Sequence, residues 1–259
     1  MHFNKKTKII ATIGPSCSSY DVLKKMIMAG VNVCRLNFSH TNHEDAFKMI
    51  SIIKKINNEI GTKTAILGDL QGPKIRLGVV AKNVFLKSNK LVTLTNQNCE
   101  SSDKKLFVDY PMLVNDVKVK DLVLINDGKI KLRVKSIAKK SIVCDILNGG
   151  RVSSHKGVNF PNSPLSFKSI TKKDKQDLLF LIKHNIDWVA LSFVRSSRDI
   201  VGLRDILIKK NSKIKIIAKI EKPEAVKNIK SITRSADGIM IARGDLGIEI
   251  PMQKVPIVQ

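Results

Sequence analysis

The chain has 259 residues, 43% of them hydrophobic and 5% aromatic, and a formal net charge of +24. That length supports one large or two smaller domains with ample core, and no apolar run approaches the ~18 residues that a membrane span requires. The charge comes from 37 lysines and nine arginines scattered along the chain; with so few aromatics this argues for solvated lysine faces and against a nucleic-acid platform.

Short apolar strands alternate with amphipathic helical stretches. Lys8–Ile13 reads as a strand, and Ser18-Ser19-Tyr20-Asp21 as a capping box before a helix to about Ala29. Val31–Leu36 is a second strand leading into Asn37-Phe38-Ser39-His40. Glu44–Ile60 follows as a helix, and Thr64–Leu67 is a third strand running towards Asp69. From Gly72 to Phe167 the texture changes to short β-type runs, with Asp127-Gly128 as a hairpin signal and no long helix. Thr171-Lys172-Lys173-Asp174 then caps a helix to about His184. Trp188–Phe193 is a strand that makes Trp188 a core residue, and Asp199–Lys210 is a helix. Lys215–Ile220 is a strand, Glu224–Thr233 a helix and Gly238–Ala242 a sixth strand.

This recurrence is that of βα units in a parallel sheet. The expected fold is therefore α/β, a (β/α)8-type TIM barrel of which about six strands are present, interrupted by an inserted small all-β barrel that serves as a lid. The expected segments are 1–71 for the first part of the barrel, 72–168 for the insert and 169–259 for the continuation. Six strands fall short of the eight that close such a barrel. The apolar stretch Ile9–Ile13 ends at Gly14-Pro15, too short for a signal peptide. The four cysteines, Cys17, Cys34, Cys99 and Cys144, form no Cys-x-x-Cys pair. A reducing, cytoplasmic setting is expected.

Charge at strand tips points to a site. Lys219 and Glu221 lie two apart and share one strand face, and Asp245 follows the next strand. Unpaired ions are costly to bury, whereas a cation and two carboxylates at neighbouring strand ends suit a divalent metal beside a phosphorylated substrate. A strand-end salt bridge between Lys219 and Glu221 is the structural alternative. Arg35, Asn37 and Ser39 also share a face by the two-residue rule.

The motifs Thr7–Pro15, Cys34–His40, Gly72–Arg76, Lys156–Pro161, the Lys219/Glu221 strand and Asp237–Pro251 occur in the order and at the structural positions of the pyruvate kinase family, whose N-terminal portion the chain resembles along essentially its whole length. The resemblance implies phosphoryl transfer from phosphoenolpyruvate to ADP, giving pyruvate and ATP. It implies Mg²⁺ on Glu221 and Asp245, Lys219 as the catalytic lysine, and Arg35 gripping phosphate. Gly244 and Asp245 are expected to supply backbone N–H groups to the substrate carboxylate. Asn37, Ser39, Asp69 and the carbonyl of Leu70 match a monovalent-cation pocket, and Arg35, Asn37, His40, Arg76 and Lys156 match nucleotide- and phosphate-side positions. Members of the family are usually homotetrameric.

The chain departs from the family pattern at several places. Lys74 stands where many members carry glutamate, and an ammonium there can take the role of K⁺, so an enzyme independent of K⁺ is expected. Gln71 replaces a common lysine and Thr41 a common glycine. The family's seventh strand, which carries a threonine that helps deliver the final proton, and its C-terminal domain have no counterpart in these 259 residues. A catalytically incomplete fragment or remnant that retains metal and ligand binding is the alternative reading.

Overall fold

The computed structural model describes residues 6–259, so the first five positions of the expected 1–71 segment lie outside the described residues. Strand β1 (Ile10–Thr12) leads through a single 3-10 turn, Pro15–Cys17, into helix α1 (Tyr20–Met28). Leu23 and Ile27, one helical turn apart, are its buried residues. Its N-cap is Ser19, which makes no side-chain capping bond, so the box expected from Ser18 to Asp21 does not form. Strand β2 (Val33–Asn37) precedes helix α2 (His43–Ile60), where the Asn42 side chain accepts from the Asp45 N–H. Ala46, Met49, Ile50, Ile53 and Ile56 are buried along one stripe of α2, and Gly61 ends it at φ 66°. Strand β3 (Ala65–Asp69) follows.

The next segment is built of short strands: β4 (Phe85–Leu86), β5 (Leu91–Thr95), β6 (Lys105–Phe107), β7 (Leu122–Ile125), β8 (Ile130–Ala138), β9 (Ser141–Asn148), β10 (Gly150–Arg151) and β11 (Val158–Asn159). A single turn, α3 (Leu113–Asp116), is its one α-helix among the described residues. Strands β7 and β8 pair antiparallel, Ile125 opposite Ile130. Their hairpin turns through Asn126, Asp127 and Gly128, all at positive φ, the backbone that Asn, Asp and Gly tolerate best. The main sheet runs β11-β7-β8-β9-β5-β6. Alternating residues of β8 and β9 (Ile130, Leu132 and Val134; Ile142, Cys144 and Ile146) fill a common core with Leu86, Leu106, Val123 and Phe160.

Helix α4 (Lys172–Lys183) has the expected capping box, Thr171 accepting from the Asp174 N–H and Asp174 accepting from the Thr171 N–H. Strand β12 (Trp188–Leu191), helix α5 (Ser197–Lys209) and strand β13 (Lys215–Ile220) continue the alternation. The single helix expected over Glu224–Thr233 is two, α6 (Pro223–Lys227) and α7 (Ile229–Ser235), broken at Asn228. The side chain of Asn228 donates to the Arg195 carbonyl, a tertiary bond that fixes the break. Strand β14 (Gly238–Ile241), helix α8 (Arg243–Glu249), a 3-10 turn over Met252–Lys254 and helix α9 (Val255–Val258) complete the described chain.

The strands outside the insert form one sheet in the order β1-β2-β3-β12-β13-β14. Neighbours are parallel from β1 through β13, with Arg35 opposite Leu67, Asn37 opposite Asp69 and Leu191 opposite Ala218. This is the expected α/β class: a parallel sheet of the (β/α)-barrel type together with a small β domain. Trp188 is half-buried rather than core, with the Lys215 ammonium 5.3 Å from its ring centroid.

The chain divides into two compact units. One comprises residues up to Gly72, Ser169–Ile220 and Lys227–Met240; the other comprises Pro73–Lys168, Glu221–Val226 and Ile241–Gln259. Among the described residues, no helix is long and apolar enough to cross a membrane.

Candidate active site

In the unit that holds the parallel sheet, polar side chains gather at the strands' C-terminal ends. The parallel register makes this inevitable. Asn37 and Asp69 end β2 and β3 as register partners, Ser192 follows β12 directly, and Lys219 is the penultimate residue of β13. Asp69 is 1% exposed and its two oxygens are divided between two cations. Arg35 reaches Asp69 Oδ2 through Nε at 2.7 Å and Nη2 at 2.5 Å, and its Nη1 donates to Thr12 Oγ1 at 2.8 Å. The Lys219 ammonium lies 3.2 Å from Asp69 Oδ1 and donates to Ser192 Oγ at 2.8 Å. Ser192 in turn donates to the Leu70 carbonyl at 2.7 Å.

One buried carboxylate thus orients an arginine fork and a lysine, and the group keeps a net positive charge. Such a group suits a phosphate or carboxylate. Lys219 is therefore anchored across the sheet, beyond the strand-end bridge considered from sequence. Of the four residues expected to hold a monovalent cation, Asn37, Asp69 and Leu70 present oxygens that already meet an internal donor. Asn37 Oδ1 accepts from the Ser39 N–H at 3.0 Å, Asp69 takes the two cations, Leu70 O takes the Ser192 hydroxyl, and the Ser39 segment is held in a turn closed by His40 N–H to Asn37 O.

His40 is exposed and, with Ile13, Gly14, Pro15, Ser18, Thr41, Asp45 and Lys48, lines a cavity of about 400 Å³. Gly72 closes the run after β3. Its φ of 68° and the Ser192 and Phe193 atoms within 3 Å of where a Cβ would stand require glycine, and its N–H donates to the buried Asp174 at 3.0 Å.

The second unit holds the other expected residues. Glu221 is buried at 1% exposure, immediately after β13. Gly244 and Asp245 lie in the first turn of α8, where backbone N–H groups have no acceptor within the helix. Lys74 Nζ stands 3.7 Å from Asp245 Oδ1. Arg76 bridges the strand-like segment at Gly157 and donates to the His155 carbonyl at 2.9 Å, which sets it next to the exposed Lys156. Lys74, Arg76 and Lys156 therefore belong to one basic edge of the β domain.

Among the described residues no group of three or more His, Cys, Asp and Glu side chains could hold a metal. Two carboxylates, Glu221 and Asp245, are nevertheless the hard-oxygen complement that Mg²⁺ takes from a protein when substrate oxygens and water supply the rest. The donor chemistry fits that ion.

Sequence reasoning missed Ser192, Thr12, the buried Lys222 and Glu249, and the half-buried Asn159 beside them. For Ser192 a signal existed, a hydroxyl at the tip of an otherwise apolar strand. For Lys222 and Glu249 none did, because charged residues beside a helix start and at a helix end read as solvated.

With this geometry in view, comparison with known proteins is specific. Residues 4–259 match the family described as pyruvate kinase, barrel domain. Pyruvate kinases of Staphylococcus aureus strains MRSA252 and COL are each 43% identical over 258 residues, covering 98% of this chain and 44% of their own length. A crystal structure of a pyruvate kinase from Cryptosporidium parvum superposes with a TM-score of 0.94 at 37% identity, over 98% of this chain and 54% of that one. The chain thus spans less than half the length of the curated relatives it matches, and it belongs to the pyruvate kinase family.

Proposed function

We propose that this chain carries the phosphoryl-transfer site of a pyruvate kinase, moving the phosphoryl group of phosphoenolpyruvate to ADP. The supporting observation is the Lys219–Asp69–Arg35 group at the C-terminal ends of the parallel strands, where barrels of this type keep their chemistry. Catalysis of this kind is chiefly positioning and charge neutralisation. The bond between phosphorus and the enol oxygen breaks as a bond to an ADP β-phosphate oxygen forms, and the enolate then takes a proton at its methylene carbon to give pyruvate.

Lys219, oriented by Asp69 and Ser192, neutralises charge on the phosphoryl group in flight and on the enolate left behind. Arg35, fixed by Asp69 and Thr12, grips phosphate. N–H groups of Gly244 and Asp245 receive the substrate carboxylate. His40, Arg76 and Lys156, which match nucleotide- and phosphate-side positions of the family, are each assigned to the nucleotide. Glu221 and Asp245 would hold Mg²⁺, which supplies charge neutralisation at the substrate oxygens. Lys74 supplies the positive charge for which relatives with glutamate there use K⁺; the internal donors already on Asn37, Asp69 and Leu70 agree with such independence.

A second reading, a chain that binds metal and ligand without turning over, is favoured by a sheet whose end strands β1 and β14 each have a single neighbour among the described residues. Phosphoenolpyruvate-dependent ATP formation by the purified chain, with Mg²⁺ and ADP, separates the two. Turnover supports the kinase, whereas ligand binding without turnover supports the second reading. Absence of both rejects the site.

A further inference from the structure

A buried ion pair joins the residue that follows Glu221 to a residue one helical turn beyond Asp245, the two carboxylates assigned to the metal. Lys222 Nζ and Glu249 Oε1 are 2.8 Å apart, with side chains 5% and 2% exposed. Asn159 Nδ2 donates to the same oxygen at 2.7 Å, while no donor among the described residues reaches Glu249 Oε2. All three residues belong to the same compact unit. Burying two charges with an acceptor left over is a poor way to gain stability, since desolvation offsets much of the attraction. The pair's value lies in where it stands.

Lys222 directly follows Glu221, and its carbonyl accepts from the Ala225 and Val226 N–H groups, which anchors it immediately before α6. Glu249 is the last residue of α8, four beyond Asp245 on the same helical face. The helix between them is continuous, with Leu246 N–H bonded to Ala242 O and Ile250 N–H to Leu246 O, both at 2.9 Å. One ion pair therefore joins the segment bearing Glu221 to the helix bearing Asp245, and Asn159 ties that helix to strand β11.

We infer that Lys222 and Glu249 are positioning residues that hold Glu221 and Asp245 in register for a divalent cation. Neither touches the ion or the substrate. The proposal rests on the assignment of Glu221 and Asp245 as the metal's carboxylates, and it explains how a site with only two protein ligands attains a defined geometry.

The test is Mn²⁺ binding by the 259-residue chain in the presence of phosphoenolpyruvate, read as the loss of the free-ion paramagnetic signal. Four proteins are compared: the natural chain, Glu221→Gln, Lys222→Met/Glu249→Leu, and Lys222→Arg. The expected result is tight binding by the natural chain and its loss in Glu221→Gln. The double variant should bind about 10-fold or more weakly, the usual penalty for losing support behind a ligand, with its melting temperature within about 5 °C of the natural chain. Lys222→Arg, which keeps the pair, should recover most of the affinity.

Natural affinity in the double variant, or no recovery in Lys222→Arg, overturns the positioning role while leaving the metal assignment standing. If the natural chain binds no Mn²⁺, or Glu221→Gln binds it unchanged, the metal assignment falls and this proposal with it. Should the double variant fail to fold, Lys222→Met/Glu249→Gln, in which the side chain of Asn159 keeps a partner but nothing joins residue 222 to residue 249, takes its place under the same criteria.

Discussion

The ammonium of Lys219 stands 3.2 Å from Asp69, a carboxylate on a strand two places away in the sheet, and Asp69 simultaneously holds Arg35. Lys219 is thus oriented by a group that carries its own counter-cation, so its charge is not cancelled. Replacing Lys219 with methionine removes the charge but leaves Asp69 paired with Arg35. Turnover should fall about 10²–10³-fold, the scale of losing one electrostatic contact to a transition state, while the melting temperature changes little. Steady-state kinetics with a parallel thermal melt measure both. A collapse in stability equal to the loss of rate would instead make Lys219 a structural strut.

Lys74 and Asp245 lie 3.7 Å apart, and both side chains are part-exposed. The natural chain should therefore turn over at rates within about twofold in K⁺ and in tetramethylammonium at equal ionic strength, an exposed pair of this kind being sensitive to salt. Lys74→Glu removes one positive charge and adds a negative one beside Asp245. It should make activity depend on K⁺, and strong K⁺ stimulation of the natural chain would contradict the assignment.

Asp237 precedes β14 and ties two elements together, accepting from the Ile216 N–H at 2.7 Å and from Arg204 at 3.0 Å. Desolvation works against its charged form, but the Ile216 bond and the Arg204 guanidinium outweigh it and hold the carboxyl below its usual 3.8. The folded state therefore binds this proton less readily than the unfolded chain. The stabilisation is complete above pH 3.8 and is lost as pH falls through the lower folded value. Asp237→Ala should cost about 1–3 kcal/mol at neutral pH by leaving the Ile216 N–H without its acceptor, and the deficit should shrink in acid. Urea titrations at several pH values between neutrality and acid measure it.

Cys34 and Cys144 are fully buried, and burial pushes their thiols up to about 11 and about 12, with Cys17 and Asp145 adding to the effect. Since the thiolate is the nucleophile, neither should be alkylated by iodoacetamide at pH 8 in the folded chain. Mass spectrometry should find both modified only after denaturation. Labelling of Cys34 in the native protein would mean that β2, the strand that also carries Arg35, opens.

The elements whose register depends on short-range pattern were legible from the residues alone. The stripe from Ala46 to Ile56 announces α2, the Thr171–Asp174 box opens α4, and Asp127-Gly128 turns the β7–β8 hairpin. Helix α1 was legible as a helix, but its cap was not, since Ser18 and Ser19 are chemically alike and only the backbone path chooses between them. The broken helix at Asn228 was hidden for a related reason: the bond to the Arg195 carbonyl comes from 33 residues away.

By itself the sequence determined which side chains end the strands, because period-two alternation and charge at the tips are local properties of the chain. Lys219, Asp69 and Arg35 were visible in that way. Only the tertiary structure decided their pairing, since the parallel sheet carries β2, β3, β12 and β13 side by side, so that Arg35, Asp69, Ser192 and Lys219 reach one another from successive steps towards the strands' C-terminal ends. The same holds for Lys222 and Glu249, which read as solvated charge until packing removes their water and leaves each the other's counter-ion. Burial is a property of the fold as a whole, and it turns ordinary surface-type residues into a lock between the segment bearing Glu221 and the helix bearing Asp245.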